Sequence, residues 1–255
     1  MGLLLESAGL TKDFGSLRAV NQVDYSIDDG ATYGIIGPNG SGKTTFFNLL
    51  SGFHRPTDGK VWFEGNEVTH EESHSRTALG LVRTFQLVSV FESLSVWENL
   101  VLSTLRFKQE GRPPLGRFFF KRANTDETLE GCMEALRLVG LEGKAGKPTS
   151  VLSYGDKRLL EIAIVLSLKP RLLLLDEPFA GLSDYEIGFI RDLILSLKGK
   201  FTQIIIEHKI SKLVDLIEHL TVLHNGSVIC SDAPEAVLAD DMVRKVYWGQ
   251  GDGCA

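Results

Sequence analysis

Apolar residues recur along this chain at two different spacings. Leu3-Leu4-Leu5 and residues 19–27 carry them at short intervals, and Asp28-Asp29-Gly30 supplies a turn signal, so the first forty residues read as strands and turns. Tyr33-Gly34-Ile35-Ile36 is a short apolar run of buried-strand type, and Phe46-Phe47-Asn48-Leu49-Leu50 opens a helix. Residues 55–59, Arg-Pro-Thr-Asp-Gly, form another turn signal, followed by the strand-like Lys60-Val61-Trp62-Phe63-Glu64. Residues 87–150 differ. They are helix-rich, with a polar Gly/Pro interruption over 109–116. Leu129, Met133, Leu136 and Val139 stand at helical spacing and predict a helix over 126–139. From 157 onward helical and strand patterns alternate, with apolar runs of buried-strand type at 171–175 and 201–206. That alternation predicts an α/β fold, a mostly parallel sheet covered by helices. No internal repeat or low-complexity tail is visible, and residues 252–255 are expected to fray.

Composition narrows the class. The chain has 255 residues, 43% hydrophobic and 24% charged, a soluble globular profile with length for one large domain or a domain with a subdomain. Net charge is −6, with no broad basic field, so nucleic acid is not the expected partner. Cys132, Cys230 and Cys254 are far apart and odd in number. They form neither a zinc spacing nor a disulfide framework, so a reducing cytoplasm is expected. The start lacks the basic region and apolar stretch of a signal peptide, and Glu6 stands where a myristoylation motif needs Ser or Thr. No apolar run approaches eighteen residues, so a membrane role would be borrowed from a partner.

The chemistry concentrates in two places. Gly37-Pro38-Asn39-Gly40-Ser41-Gly42-Lys43-Thr44-Thr45 lies between the buried strand and the helix, with the Gly-x-x-x-x-Gly-Lys-Thr spacing of a phosphate-binding loop. Glycines let backbone N–H groups curl around phosphate oxygens, and the helix N-terminus adds partial positive charge there. Lys43 would reach the β- and γ-phosphates, and the Thr44 hydroxyl would ligate Mg²⁺. An ordinary glycine turn is the plainer alternative, disfavoured by the strand before, the helix after and Lys-Thr in register. The second place is Leu172-Leu173-Leu174-Leu175-Asp176-Glu177, a central strand with an acidic pair at its C-terminal tip, where parallel sheets bind ligands. Asp176 would hold Mg²⁺ through water, and Glu177 would orient and polarise the attacking water as general base. An acidic helix cap after a core strand is the alternative, and Lys43 upstream argues against it.

Between these two lies Leu152-Ser153-Tyr154-Gly155-Asp156, followed by a helix-forming stretch from Lys157. This segment resembles the signature of ATP-binding-cassette (ABC) ATPases, and other elements of that family stand in order. Gln86 follows Val82-Arg83-Thr84-Phe85 like the glutamine loop, and Gly181-Leu182-Ser183-Asp184 resembles the loop after the acidic pair. His208 follows Ile204-Ile205-Ile206-Glu207 like the switch histidine, and Phe14 resembles the aromatic that stacks on adenine. Taken singly, Gln86, His208 and Phe14 could be a loop polar residue, a core histidine and a core aromatic. The ordered set is what gives them weight.

The resemblance covers nearly the whole chain. It implies one ABC ATPase domain over 1–255: a P-loop NTPase (RecA-like) core over 1–86 and 157–230, an antiparallel β portion near the N-terminus, a helical subdomain over 87–156 that docks on a membrane permease, and a C-terminal extension over 231–255. It implies ATP and Mg²⁺ as ligands, Thr44, Gln86 and Asp176 as metal-side residues, and Glu177, His208 and Gln86 as catalytic. Two ATP molecules would be sandwiched in a head-to-tail dimer with a second ATPase subunit, Ser153 and the N–H groups around Gly155 facing the γ-phosphate of the other protomer. A substrate-binding protein would be an indirect partner, and the chain would sit at the cytoplasmic face of the membrane. Finer likenesses, Arg83-Thr84-Phe85-Gln86, the Leu-Ser-Tyr-Gly signature and the ending Val246-Tyr247-Trp248-Gly249, resemble ATPases of branched-chain amino acid uptake. Urea and short-amide uptake ATPases are close, lipopolysaccharide-export ATPases more distant, and a soluble non-transport ABC ATPase is the alternative of a different class. The chain departs from the family at Tyr154, Asp156 and Lys209, where Gly, Gln and an acidic residue are usual. Asp156 suits a helix N-terminus, yet its charge near a phosphate could slow closure.

A basic–aromatic cluster at Arg117-Phe118-Phe119-Phe120-Lys121-Arg122 suits either contact with a permease or headgroup region, or Phe residues tucked into the subdomain. Ser95 with Glu98 three residues on predicts a capped helix start.

Overall fold

The computed structural model describes residues 2–84, 90–109 and 125–248. Gln86, the 117–122 cluster, Gly249, Cys254 and the tail 252–255 lie outside the described residues. The chain divides into two compact units. The first comprises Met1–Ser73, Leu174–Glu177 and Leu197–Ala255, and the second His74–Leu173 and Pro178–Ser196.

The first unit holds two sheets of different character. β1 (Leu3–Phe14), β2 (Leu17–Asp28), β4 (Asp58–Phe63) and β5 (Asn66–Glu67) form an antiparallel sheet in the order β2-β1-β4-β5. β2 alternates as a one-sided strand should, with Val23, Tyr25 and Ile27 buried and Asp24, Ser26 and Asp28 exposed. β4 begins at Asp58 and includes Gly59, so the turn expected over 55–59 closes two residues earlier. Gly59 has φ +86°, and a Cβ there would strike the Gly9 carbonyl, which is why only glycine lets β4 approach β1 so closely.

The second sheet carries the chemistry. β3 (Thr32–Ile36) is buried throughout and pairs in parallel with β8 (Thr202–Ile206) on one side and β9 (His219–His224) on the other. β10 (Ser227–Asp232) adds an antiparallel edge on β9. Beside β8 lie residues 174–176 of β7 (Leu172–Asp176). Strands covered on both faces read as continuous apolar runs, which is how β3, β7 and β8 stood out in the sequence. α1 (Lys43–Leu50) follows β3 and buries Phe46, Phe47, Leu49 and Leu50, while α7 (Pro234–Ala239) and α8 (Asp241–Trp248) close the described chain.

The second unit is mainly helical. After α2 (Ser73–Ala78) comes the short β6 (Leu81–Arg83), and the Gly80 carbonyl accepts from the Arg171 and Leu172 N–H groups. α3 (Val96–Gln109), α4 (Thr125–Leu138) and α5 (Tyr154–Ser167) pack on one another. α3 starts with the expected capping box: Ser95 N–H donates to Glu98 Oε2 at 2.7 Å and Glu98 N–H to Ser95 Oγ at 3.1 Å. α6 (Asp184–Leu197) begins with a second box, Ser183 N–H to Glu186 Oε2 at 2.9 Å and Glu186 N–H to Ser183 Oγ at 3.4 Å. α5 starts at Tyr154, three residues before the helix-forming stretch from Lys157, because Ser153 caps it. Among the described residues no helix is long and apolar enough to cross a membrane.

Candidate functional site

In the first unit the 37–45 loop connects β3 to α1 and is clamped by backbone. Ser41 N–H donates to the Pro38 carbonyl at 3.2 Å, and the Ser41 carbonyl accepts from Gly226 N–H at 3.0 Å. At Gly37 a Cβ would strike Leu223 O and Ser41 Oγ. Gly42 has φ +100°, and a Cβ there would strike Ala19 O. These two glycines are therefore demanded by packing as well as by backbone angle. Gly42 caps α1 with no side-chain hydrogen bond, and the first turn holds no acidic residue. The first bond of the helix runs from Phe46 N–H to Gly42 O at 2.8 Å, so helix geometry leaves the N–H groups of Lys43, Thr44 and Thr45 without intrahelical partners. They form one anion-attracting end together with the helix dipole. Thr44 is exposed and Thr45 half-buried there, while Pro38, Asn39 and Gly40 form the outer rim of the loop.

Lys43 is 4% exposed, and its Nζ donates to the carbonyls of Gly37 at 2.7 Å and Pro38 at 3.0 Å. Burial pulls its pKa below the usual lysine value, and the charges of Glu177 and Asp176 act in the opposite sense. The two acids sit where β7 ends, Asp176 fully buried and Glu177 nearly so. Glu177 adopts φ +47°, the left-handed region a residue with a Cβ rarely occupies, and its N–H donates to Ile206 O at 3.0 Å. That anchor to the tip of β8 holds the strained backbone. His208 Nε2 and Glu177 Oε1 are 2.7 Å apart. The Glu177 side chain is 11% exposed and that of His208 41%, so one partner faces inward and the other outward. The Glu177 carboxylate can accept a proton, and the Lys43 ammonium with the α1 N–H groups can hold a polyanion. Phe14, at the exposed end of β1, packs edge-on against His54 with ring centres 5.6 Å apart and carries Lys12 Nζ 5.2 Å from its centroid.

The second unit gathers Ser153 and Gly155 at the start of α5. Ser153 Oγ accepts from Asp156 N–H at 3.0 Å, and Gly155 N–H donates to Glu186 Oε1 at 3.2 Å. Asp156 Oδ2 is 2.6 Å from Lys144 Nζ. Hydrogen bonds from Ser183 hold the Glu186 carboxyl below its usual pKa, and the Gly155 N–H acts in the same direction. Tyr154 covers Gly181, whose φ is +74°. A cavity of ≈580 Å³ adjoins this cluster, walled by Leu141, Leu159, Phe189 and Ile190 with Lys144 and Glu186 among its polar lining. Sequence reading missed Lys144 and Glu186. A Ser-x-x-Glu box at 183–186 was the available signal for Glu186; Lys144 had none. Lys209, exposed, precedes the single turn Ile210–Lys212.

Residues 20–180 match the family model described as ABC transporter. The chain is 35% identical over 253 residues to the high-affinity branched-chain amino acid transport ATP-binding protein BraF of Pseudomonas aeruginosa, covering 97% of this chain and 98% of that protein. It is 34% identical over 251 residues to the corresponding Escherichia coli K12 protein, LivG, covering 97% and 98%. Its fold is similar to the crystal structure of the ADP conformation of MJ1267, an ATP-binding cassette of an ABC transporter. The TM-score is 0.85 at 32% identity, over 98% of this chain and all of that one.

Proposed function

Since the chain belongs to the ABC transporter family and is an ATP-hydrolysing nucleotide-binding subunit, we propose that it powers uptake of branched-chain (hydrophobic) amino acids through a membrane permease. The names of its full-length relatives support that cargo. The chain acts at the cytoplasmic face of the membrane, bound to permease subunits through the helical subdomain of residues 87–156. A substrate-binding protein delivers the solute on the far side.

The 37–45 loop and the first turn of α1 hold the ATP phosphates, with Lys43 moving from the Gly37 and Pro38 carbonyls to phosphate oxygens, which bind an ammonium more strongly than neutral carbonyls do. Phe14 offers its exposed ring to the adenine. Glu177 takes the proton of the attacking water, and His208, 2.7 Å from it, orients that carboxylate and the γ-phosphate. The strained backbone at Glu177 supports this reading most directly, because strain of this kind persists where a side chain must be aimed. Thr44, Asp176 and Gln86 fit Mg²⁺ by their hard oxygen donors. Among the described residues no group of three His, Cys, Asp or Glu could hold a metal ion. Bound there, the ion would neutralise phosphate charge.

A second ATPase subunit, a copy or a paralogue, completes each site. Its residues equivalent to Ser153 and Gly155 face the γ-phosphate across a head-to-tail dimer, so hydrolysis waits for closure. Glu177→Gln tests the core of this reading. The variant should bind ATP as wild type does and lose hydrolysis roughly 10²–10⁴-fold, the size of a general-base contribution. Steady-state phosphate release at the wild-type rate would refute the assignment.

A further inference from the structure

A backbone N–H points in one direction and serves one strong acceptor. At Gly155 that acceptor is Glu186 Oε1, at 3.2 Å. The same N–H is the donor that the proposed sandwich offers to the partner's γ-phosphate, and the present inference rests on that reading. A carboxylate oxygen and a phosphate oxygen cannot both occupy the line of one N–H bond. We propose that Glu186 is a built-in stand-in for the γ-phosphate: its carboxylate holds the signature amide in the open protein and must be exchanged for nucleotide when the ATPase dimer closes.

Three further features fit this role. Glu186 is held by a second oxygen, Oε2, which accepts from Ser183 N–H at 2.9 Å and Ser183 Oγ at 2.7 Å, so releasing Gly155 leaves the α6 cap in place. A Cβ at Gly155 would collide with this same carboxylate, so the glycine accommodates the stand-in as well as any incoming phosphate. The adjoining cavity gives the displaced carboxylate room, and Lys144 on its lining gives it a cation to turn towards. In this state Lys144 meets Asp156 at 2.6 Å. Glu186 thereby acts as a positioning residue. It sets how much ATP is needed to close the site without touching the bond that breaks.

The experiment measures ATP turnover by the assembled transporter carrying Glu186→Gln, Ser183→Ala or Ser153→Ala, together with ATP affinity of each isolated chain. Neutralising Glu186 should lower the KM for ATP about two- to fivefold, with kcat within about twofold and the isolated chain's affinity unchanged. Ser183→Ala removes a partner of Glu186 but keeps the charge, so its KM should not fall. An unchanged or raised KM in Glu186→Gln, an altered affinity of its isolated chain, or an equal fall in Ser183→Ala would overturn the proposal. If Glu186→Gln does not fold, Glu186→Asp, which withdraws the carboxylate from Gly155, should give the same fall in KM. Ser153→Ala separates the two levels. Loss of hydrolysis there upholds the sandwich reading whatever Glu186 does, and full activity would remove that reading and this proposal together.

Discussion

α1 starts at a glycine that has no side chain to cap it, with no acid in its first turn. α5 starts at a serine whose hydroxyl already accepts from Asp156 N–H, with Asp156 in its first turn and Glu186 on Gly155 N–H. Both helix ends have the dipole and the N–H groups that attract a phosphate. Only the first leaves them unserved by its own side chains, and it sets a buried lysine beside them. The second satisfies itself. With the same backbone, one helix end keeps its donors open and the other has them occupied by neighbouring side chains. On this account α1 binds nucleotide in the lone chain and α5 only in the closed dimer.

The contrast can be broken from the α1 side. Thr45→Asp places a carboxylate in the first turn of α1, as Asp156 is placed in α5, without harming the helix. ATP affinity of the isolated chain should fall about tenfold, by equilibrium titration, since a like charge a few ångströms from phosphate opposes binding. It can be sharpened from the α5 side. Lys144→Met strips Asp156 of its counter-charge, and the KM for ATP of the assembled transporter should rise about two- to fivefold, with the isolated chain's affinity unmoved. The smallest effect belongs to a helix start with no proposed ligand. Ser95→Ala removes a capping-box partner at α3 and should lower stability by about 1 kcal/mol in chemical denaturation, with ATP affinity preserved.

The sequence showed the α1 site almost whole because its residues are contiguous: the loop 37–45 is one uninterrupted word, and Asp176-Glu177 closes an unmistakable apolar run. The capping box at Ser95 was legible for the same reason. The extent of β1 was not, because bulges interrupt its pairing and blur the alternation that marks a strand. The turn at 55–59 also ran over, since Asp58 and Gly59 look like turn residues yet enter β4, where Gly59 allows close approach to β1. The α5 end was legible only in part. Ser153 and Gly155 stood in a familiar segment, while Glu186, the partner of Gly155 N–H, lies 31 residues away and Lys144, the partner of Asp156, lies 12 residues from that acid. Asp156 meets that lysine at 2.6 Å, a contact that only folding brings about. The left-handed backbone of Glu177 had no local signal, because the carbonyl that anchors it comes from β8.

Equilibrium ATP affinity of the isolated chain, compared between Lys43→Ala and Ser153→Ala, tests the contrast most directly. Lys43→Ala should lose at least about tenfold, the scale of a charge-assisted phosphate contact, and Ser153→Ala should keep wild-type affinity. Equal losses in the two variants would contradict it, for then both helix ends would already hold nucleotide in a single protomer.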